Sequence, residues 1–343
     1  MRKLIPLFLL ISQVGLGQMR TFSGKPIGAA EFEKRIRKAM DSLQVPGMSI
    51  AVINGGKVVY ARGFGFSNTE SKKEVTASTV FEAASLSKPV FAFFALKLAK
   101  EGRLDIDKPL VDYLAADNID DERYRRITAR MVLGHTTGLP NWGDGEKLRL
   151  LSEPGERFSY SGEAYVYLAR VLAKLCGTSL KGLEGIFQRE VAEDLKPNGL
   201  HFVLTEGIRQ NLAGGYQKGQ PVSDERDRTV FDPAGGLYSN VPSYAAFLVG
   251  LMQQQKRYRE MFVPFVSLEE SSPIREYFGV ESWTLGLAVV KIGGKENFWH
   301  GGNNLGYTSS FMVNPAKRFG YVYFTNEDQC NGMKKVVESI LWD

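Results

Sequence analysis

The chain of 343 residues has few histidines and cysteines, the side chains that most often bind zinc. Its three histidines, His135, His201 and His300, are scattered, and neither a His-Glu-x-x-His pair nor a Cys/His cluster is present. A zinc site needs three or four such ligands close together, so the sequence predicts no protein-held metal. The two cysteines, Cys176 and Cys330, lie far apart in sequence. They could pair in an exported protein, but we favour two unpaired, buried thiols.

Several other signatures are missing. No Gly-x-x-x-x-Gly-Lys-Ser/Thr loop and no Gly-x-Gly-x-x-Gly turn after a strand is present, so nucleotide binding has no support. No serine lies in a Gly-x-Ser-x-Gly elbow, which argues against an α/β-hydrolase. The net charge of +5 is spread along the chain, so no nucleic-acid partner is predicted. The hydrophobic fraction of 43% is ordinary for a globular protein.

The first residues follow the pattern of an export signal. Arg2 and Lys3 precede an apolar stretch over residues 4–11, and a polar, glycine-rich exit follows. A membrane span needs about 20 apolar residues, so no stable span is predicted here. The pattern predicts a cleaved signal peptide over residues 1–17 and a periplasmic or secreted protein. A short buried N-terminal helix is the alternative.

Hydrophobic patterning predicts the order of helices and strands. Residues 29–43 have helical spacing, and residues 48–53 and 57–61 flank an Asn-Gly turn that is typical of a β-hairpin. Residues 85–100 are apolar on nearly every side, as expected of a buried helix. The middle of the chain, from the end of this helix to about residue 255, is predicted to be mainly helical. The later segments are predicted as strands over 284–292, 297–300, 309–314 and 319–325, and as a helix over 333–341.

This order predicts an α+β fold. An antiparallel sheet built from both ends of the chain, flanked by helices and carrying an inserted helical lobe, satisfies it. The predicted sheet domain covers residues 18–84 and 275–343, and the mainly helical lobe covers residues 85–274.

The sequence Ser85-Leu86-Ser87-Lys88 is a candidate for nucleophilic chemistry. Residues three apart on a helix have Cβ atoms about 5–6 Å from each other, so the hydroxyl and the amine can meet. A lysine at the start of a buried helix is poorly solvated, which favours its neutral, proton-accepting form. This is how a serine nucleophile is activated when lysine replaces histidine. A solvated lysine beside a helix-capping serine is the alternative.

Two further segments carry suitable groups. Tyr160 lies on a loop just before a predicted helix, where a tyrosine can relay a proton. In the sequence His300-Gly301-Gly302-Asn303, at the end of a predicted strand, glycines let a substrate lie against the strand edge, and a backbone N–H can point at an oxyanion. A core aromatic residue and a simple glycine turn are the respective alternatives.

Together these segments resemble the serine β-lactamase and penicillin-binding-protein superfamily, and within it the class C β-lactamases and the related esterases, DD-peptidases and D-aminopeptidases. Further segments of the mature chain match the family's motifs in the same order: His135-Thr-Thr-Gly-Leu, Pro154 to Ser161, Pro233-Ala-Gly-Gly-Leu237-Tyr-Ser239, and Gly306-Tyr307 with Asn326. The resemblance implies a β-lactamase/transpeptidase-like fold, no cofactor, and a small-molecule or short-peptide substrate.

The resemblance also implies roles for single residues. Ser85 is the acylated nucleophile, and Lys88 and Tyr160 share the proton transfers. The backbone N–H groups of Ser85 and Asn303 form the oxyanion hole, and His300 with the two glycines after it lines the substrate site. A protein that is acylated without turnover, or that only binds cell-wall fragments, is the alternative outside the enzymes.

Four positions bear on substrate choice and local structure. β-Lactamases typically have a lysine at the position of His300, whereas esterases and aminopeptidases of the family often have histidine. Gly162 is also expected to line the substrate site, at the position where β-lactamases have an asparagine that holds the substrate's acylamino group. Both departures leave esters, short peptides and β-lactams open. Pro89 removes a hydrogen bond to the Ser85 carbonyl and is expected to loosen that turn. His135 is expected to fix a loop rather than to react.

Overall fold

The computed structural model describes residues 18–143, 145–192, 195, 199–223 and 225–342, so the predicted leader over residues 1–17 lies outside it. The helices are α1 (Ala29–Ser42), α2 (Ser87–Lys100), α3 (Ala129–Leu133), α4 (Gly162–Leu175), α5 (Leu180–Phe187), α6 (Glu206–Arg209), α7 (Val241–Gln253), α8 (Pro273–Phe278) and α9 (Gly332–Leu341). The long strands are β1 (Gly47–Asn54), β2 (Lys57–Asn68), β10 (Val280–Trp283), β11 (Ala288–Ile292), β12 (Lys295–Asn304), β13 (Tyr307–Asn314) and β14 (Phe319–Thr325). The short strands are β3 (Lys73–Glu74), β4 (Phe81–Glu82), β5 (Leu200–His201), β6 (Gly215–Gln217), β7 (Gln220–Val222), β8 (Tyr238–Ser239) and β9 (Val266–Ser267).

A nine-stranded antiparallel sheet in the order β3-β2-β1-β14-β13-β12-β11-β10-β9 is the centre of the fold. The first long strand pairs with the last, and Val52 lies opposite Tyr321. Both ends of the described chain therefore build one sheet, which confirms the predicted α+β fold. Within residues 85–274, β9 joins the edge of this sheet, whereas β5 and β8 form a small three-stranded sheet with β4, which precedes Ser85.

Helices cover both faces of the sheet. Side chains alternate between the faces of a strand, so a strand that is buried along nearly its whole length, such as β1, needs a layer on each side. Ala51 and Ile53 face a core shared with α2, α4 and α7. Ile50 and Val52 face a second core shared with α1 and α9. Among the described residues, no helix is long and apolar enough to cross a bilayer.

Helix α2 is buried on nearly every side, as its sequence predicts, but it begins at Ser87 rather than at Ser85. Pro89 therefore lies in the first turn, where a missing N–H is tolerated. The Ser85 carbonyl accepts a hydrogen bond from the Lys88 N–H at 3.0 Å. The expectation that Pro89 leaves this carbonyl without a donor and loosens the turn is therefore wrong.

Two other expectations need correction. The segment predicted as one strand over residues 284–292 is a strand only from Ala288, because residues 284–287 form the turn between β10 and β11. Gly286 in that turn has a φ of 110°, which favours glycine, and the Thr284 hydroxyl donates to the Leu287 carbonyl at 3.1 Å. Cys176 and Cys330 are both free, but only Cys330 is buried, and Cys176 is partly exposed.

Candidate active site

Ser85 lies in the turn between β4 and α2. Ala84 before it has a φ of 49°, a left-handed conformation that is uncommon for a residue other than glycine. Neighbouring segments hold this turn. The Ala83 N–H donates to the Leu237 carbonyl at 2.7 Å, and the Ser309 hydroxyl donates to the Ala83 carbonyl at 2.7 Å. Ser85 is partly exposed and borders a pocket. The N-cap residue of α2 is Leu86, so the Ser85 hydroxyl does not cap this helix.

Lys88 is buried beside this turn, with only 1% of its surface exposed. Its Nζ donates to Ser85 Oγ at 3.4 Å and to the Ala234 carbonyl at 2.8 Å. It also lies 4.7 Å from the ring centroid of Tyr160 and 5.7 Å from that of Tyr165. A solvated lysine, the alternative interpretation of the Ser-x-x-Lys motif, does not fit this burial. The segment that contains Ala234 thus supplies an acceptor that holds the lysine in place.

Tyr160 precedes α4, and Ser161 caps that helix by accepting the Ala164 N–H. The Tyr160 ring stacks on His135, with centroids 4.2 Å apart, and meets Trp283 edge-on at 5.9 Å. Tyr160 also borders the pocket that Ser85 lines. The structure therefore brings Ser85, Lys88 and Tyr160 together, although Tyr160 comes from a different segment.

His300 lies on β12 and is buried, with only 2% of its surface exposed. Its Nδ1 lies 2.8 Å from the Gly301 carbonyl, which can only accept, so Nδ1 carries the proton. Its Nε2 has no hydrogen-bond partner among the described residues. Burial and the nearby Lys88 lower the pKa of His300 to about 3. His300 is therefore neutral near pH 7.

The glycines after His300 let two backbones approach closely. Strand β12 pairs with β11 only as far as Trp299, so residues 300–304 pair with β13 alone and leave one edge open. A Cβ on Gly302 would lie 2.8 Å from the Ser85 nitrogen. The strand continues through Asn303, whose side chain donates to Asp328 at 2.7 Å. The part of β12 that pairs with β13 alone therefore lies against the Ser85 turn at Gly302.

Gly162 is placed differently from the expectation that it binds substrate. Its N–H donates to the Asn141 side chain at 3.0 Å, and it does not border the pocket. A Cβ on Gly162 would lie 2.6 Å from the Trp142 ring. The indole of Trp142 occupies the space in which a side chain at position 162 would project, so Gly162 is covered rather than open to a ligand.

The pocket beside Ser85 has a volume of about 240 Å³. Its other walls are mostly apolar or aromatic side chains that the sequence analysis missed: Ile274, Phe278, Trp283, Trp299 and Tyr323. Lys334 also lines it, but its ammonium pairs with Glu338 at 2.9 Å. These residues lie on α8, α9 and three different strands. No local pattern marks them, because only the packing of α8 and α9 near β12 makes them neighbours.

A metal role has no structural support among the described residues. They contain no group of three or more His, Cys, Asp or Glu side chains that could hold a metal ion. Near Ser85, the two histidines are surrounded by aromatic rings instead.

A sheet covered by helices on both faces, with a Ser-x-x-Lys turn at the open edge of a strand, defines the class of protein as β-lactamase/transpeptidase-like. The chain belongs to the Beta-lactamase family, whose model matches residues 32–337. This family is of the serine-hydrolase type, and the predicted family resemblance is confirmed.

Individual relatives are distant. The chain is 26% identical over 324 residues to Protein flp of Staphylococcus aureus (strain N315), covering 86% of this chain but only 62% of that protein. It is similar in fold to the octameric penicillin-binding protein homologue from Pyrococcus abyssi (TM-score 0.77, 24% identity, 92% of this chain and 77% of the other). It is also similar to a class C β-lactamase (TM-score 0.75, 18% identity, 92% and 96%).

The close approach at Gly302 gives a first prediction. In Gly302→Ala the new methyl group would meet the Ser85 nitrogen at 2.8 Å and Ser309 Oγ at 2.5 Å, so the turn must shift. Misplacing a reacting group by about 1 Å can cost about 100-fold in rate. We expect a loss of that order in labelling by a fluorophosphonate probe. The control is Gly207→Ala, where a Cβ meets nothing within 4 Å. Equal labelling of both variants would refute the close approach.

Acid should destabilise the fold through its buried neutral histidines. The folded-state pKa is about 3 for His300 and well below 6.5 for His135, whereas unfolding returns both to about 6.5. Between these values the unfolded state binds more protons, so stability falls as the pH falls, by about 1.4 kcal/mol per pH unit for each histidine. We expect His300→Gln to lose less stability than the wild type between pH 7 and pH 4 in urea unfolding.

The partly exposed His201 provides the control for this measurement. His201→Gln should keep a pH dependence closer to that of the wild type. Parallel stability curves for His300→Gln and the wild type would show that His300 is not held neutral.

Proposed function

We propose that the protein is a serine hydrolase that cleaves small ester or amide substrates through an acyl-serine intermediate on Ser85. The observation that carries the proposal is the contact between Ser85 Oγ and the buried Nζ of Lys88, at 3.4 Å. A buried amine that is held by the Ala234 carbonyl is in reach of the hydroxyl proton. Strand β12 also lies against the same serine, at Gly302.

The reaction takes two steps. Ser85 Oγ attacks the substrate carbonyl carbon while its proton passes to the amine of Lys88. Collapse of the tetrahedral intermediate breaks the bond to the leaving alcohol or amine, which takes up a proton through Lys88 and Tyr160. Water then attacks the acyl-serine in the same way and regenerates the free hydroxyl. The backbone N–H groups of Ser85 and Asn303 would stabilise the oxyanion in both steps.

The charge and polarity of the pocket support neutral, partly apolar substrates. His300 is neutral near pH 7, and Lys334 is paired with Glu338. A substrate carboxylate would thus find no unpaired cation at either residue. Ile274, Phe278 and Trp299 can instead take an alkyl or aryl group, since such walls favour the transfer of apolar surface from water. Short acyl esters or small uncharged amides therefore fit this site better than β-lactams do.

The place of action is also part of the proposal. The basic start, the short apolar stretch and the glycine-rich exit of residues 1–17 support export to the periplasm or the medium. Substrates would then be small esters, amides or peptides outside the cytoplasm.

Replacement of the nucleophile tests the reaction. We expect Ser85→Ala to fold but to lose all hydrolysis of p-nitrophenyl acetate and all fluorophosphonate labelling, because no other group replaces the hydroxyl. Ser339→Ala, which changes an exposed serine on α9, should keep both. Intact-protein mass spectrometry should show an acetyl adduct that forms and decays in the wild type. Retained hydrolysis in Ser85→Ala would disprove the mechanism, and an adduct that never decays would favour a non-turnover receptor.

The neutral His300 predicts how substrate preference can be changed. His300→Lys places a cation where β-lactams carry a carboxylate, and a hydrogen bond to a charged group contributes about 1.5–3 kcal/mol. We expect the ratio of acylation rates, benzylpenicillin over p-nitrophenyl acetate, to rise about tenfold or more. His300→Gln, which adds no charge, should leave this ratio near the wild-type value. Efficient penicillin hydrolysis by the wild type, at rates that rival its best ester, would overturn the proposed preference.

A further inference from the structure

His135 accepts hydrogen bonds from the residues on both sides of Tyr160. The Ser159 N–H donates to the backbone carbonyl of His135 at 2.7 Å. The Ser161 N–H donates to the Nδ1 atom of His135 at 3.1 Å. The His135 ring itself stacks on the Tyr160 ring, with centroids 4.2 Å apart and planes inclined by 26°. Backbone and side chain of one histidine therefore fix three consecutive residues.

The opposite side of His135 is supported as well. Its ring stacks on Tyr165 at 5.1 Å, and Trp283 meets it edge-on at 5.3 Å. Tyr165 is in turn anchored by its hydroxyl, which donates to the Leu133 carbonyl at 3.3 Å. His135 has no exposed surface. The imidazole is therefore enclosed between two tyrosine rings, and Tyr160 cannot tilt toward it without displacing a packed layer.

The hydrogen bond from Ser161 also determines the protonation of His135. Because Nδ1 accepts a backbone N–H, it carries no proton, and the neutral ring has its proton on Nε2. Nε2 has no hydrogen-bond partner among the described residues. Burial, Lys88 and His300 all lower the pKa of His135 well below 6.5. A protonated ring would turn two donors toward each other, so the contact requires the neutral form.

We propose that His135 is a positioning residue, which holds the phenol of Tyr160 in place beside the Ser85–Lys88 pair. The inference rests on the proposed function, because Tyr160 matters only if it shares the proton transfers. His135 itself contacts neither Ser85 nor the pocket among the contacts described. Side chains that lock a reacting group from behind are expected to affect rate rather than substrate binding.

Three substitutions of His135 separate the contribution of its Nδ1 hydrogen bond from that of its ring stacking. His135→Asn keeps an acceptor near the place of Nδ1, loses the ring, and tolerates the backbone φ of 55° at this position. His135→Phe keeps a ring but loses the acceptor, and His135→Ala loses both. We expect His135→Ala to lower kcat about 100-fold, with KM nearly unchanged. The Asn and Phe variants should each recover part of the rate, and they carry the test if the Ala variant does not fold.

A double-mutant cycle with Tyr160→Phe decides whether His135 acts through Tyr160. If it does, replacing His135 in the Tyr160→Phe protein should reduce kcat little further. An equal fold-loss in both backgrounds would overturn the proposal and leave His135 with a structural role alone. The free energy of unfolding of each variant is measured in parallel, with His201→Asn as the matched histidine replacement outside the pocket. Failure of the proposed function is a separate result, seen as hydrolysis that survives Ser85→Ala.

Discussion

The burial of one amine, Lys88, imposes the main constraint on the structure. A lysine that is removed from water needs a hydrogen-bond acceptor, because an unpaired polar group in an apolar core costs several kcal/mol. The Ala234 carbonyl supplies that acceptor, and the faces of Tyr160 and Tyr165 supply weak electrostatic attraction. The loop that contains Ala234 must therefore lie against α2, and its Leu237 in turn holds the turn before Ser85.

The aromatic cluster around Lys88 explains why the two nearby histidines are neutral. Each has one nitrogen fixed by the backbone, Nδ1 of His135 by an N–H and Nδ1 of His300 by a carbonyl. Burial disfavours a positive charge on either ring. A protonated ring would also lie close to the Lys88 amine, which lowers the pKa of both histidines further. The site thus places the Lys88 amine beside two neutral histidines. That arrangement suits proton transfer from a serine better than it suits recognition of an anion.

Much of the fold could be predicted because its signals are local. Alternation and helical spacing depend on residues a few positions apart, so the hairpin at the start, the buried helix and the closing strands were identified within a few residues. The errors occurred where tertiary contacts take over. Ser85 leaves the helix because Ala83 and Ala84 bridge to the segment around Leu237, and Pro89 then falls in the first turn.

The sequence by itself determined the family and predicted the pairing of Ser85 with Lys88, since a Ser-x-x-Lys spacing is a property of one short segment. Only the tertiary structure decided the rest of the site. It covers Gly162 with Trp142, removes the charge of His300 by burial, and brings Phe278 and Trp299 together into one apolar wall. It also makes His135 the support of Tyr160. The physical reason is that burial, electrostatic environment and ring stacking arise between segments far apart in the chain, which no local spacing encodes.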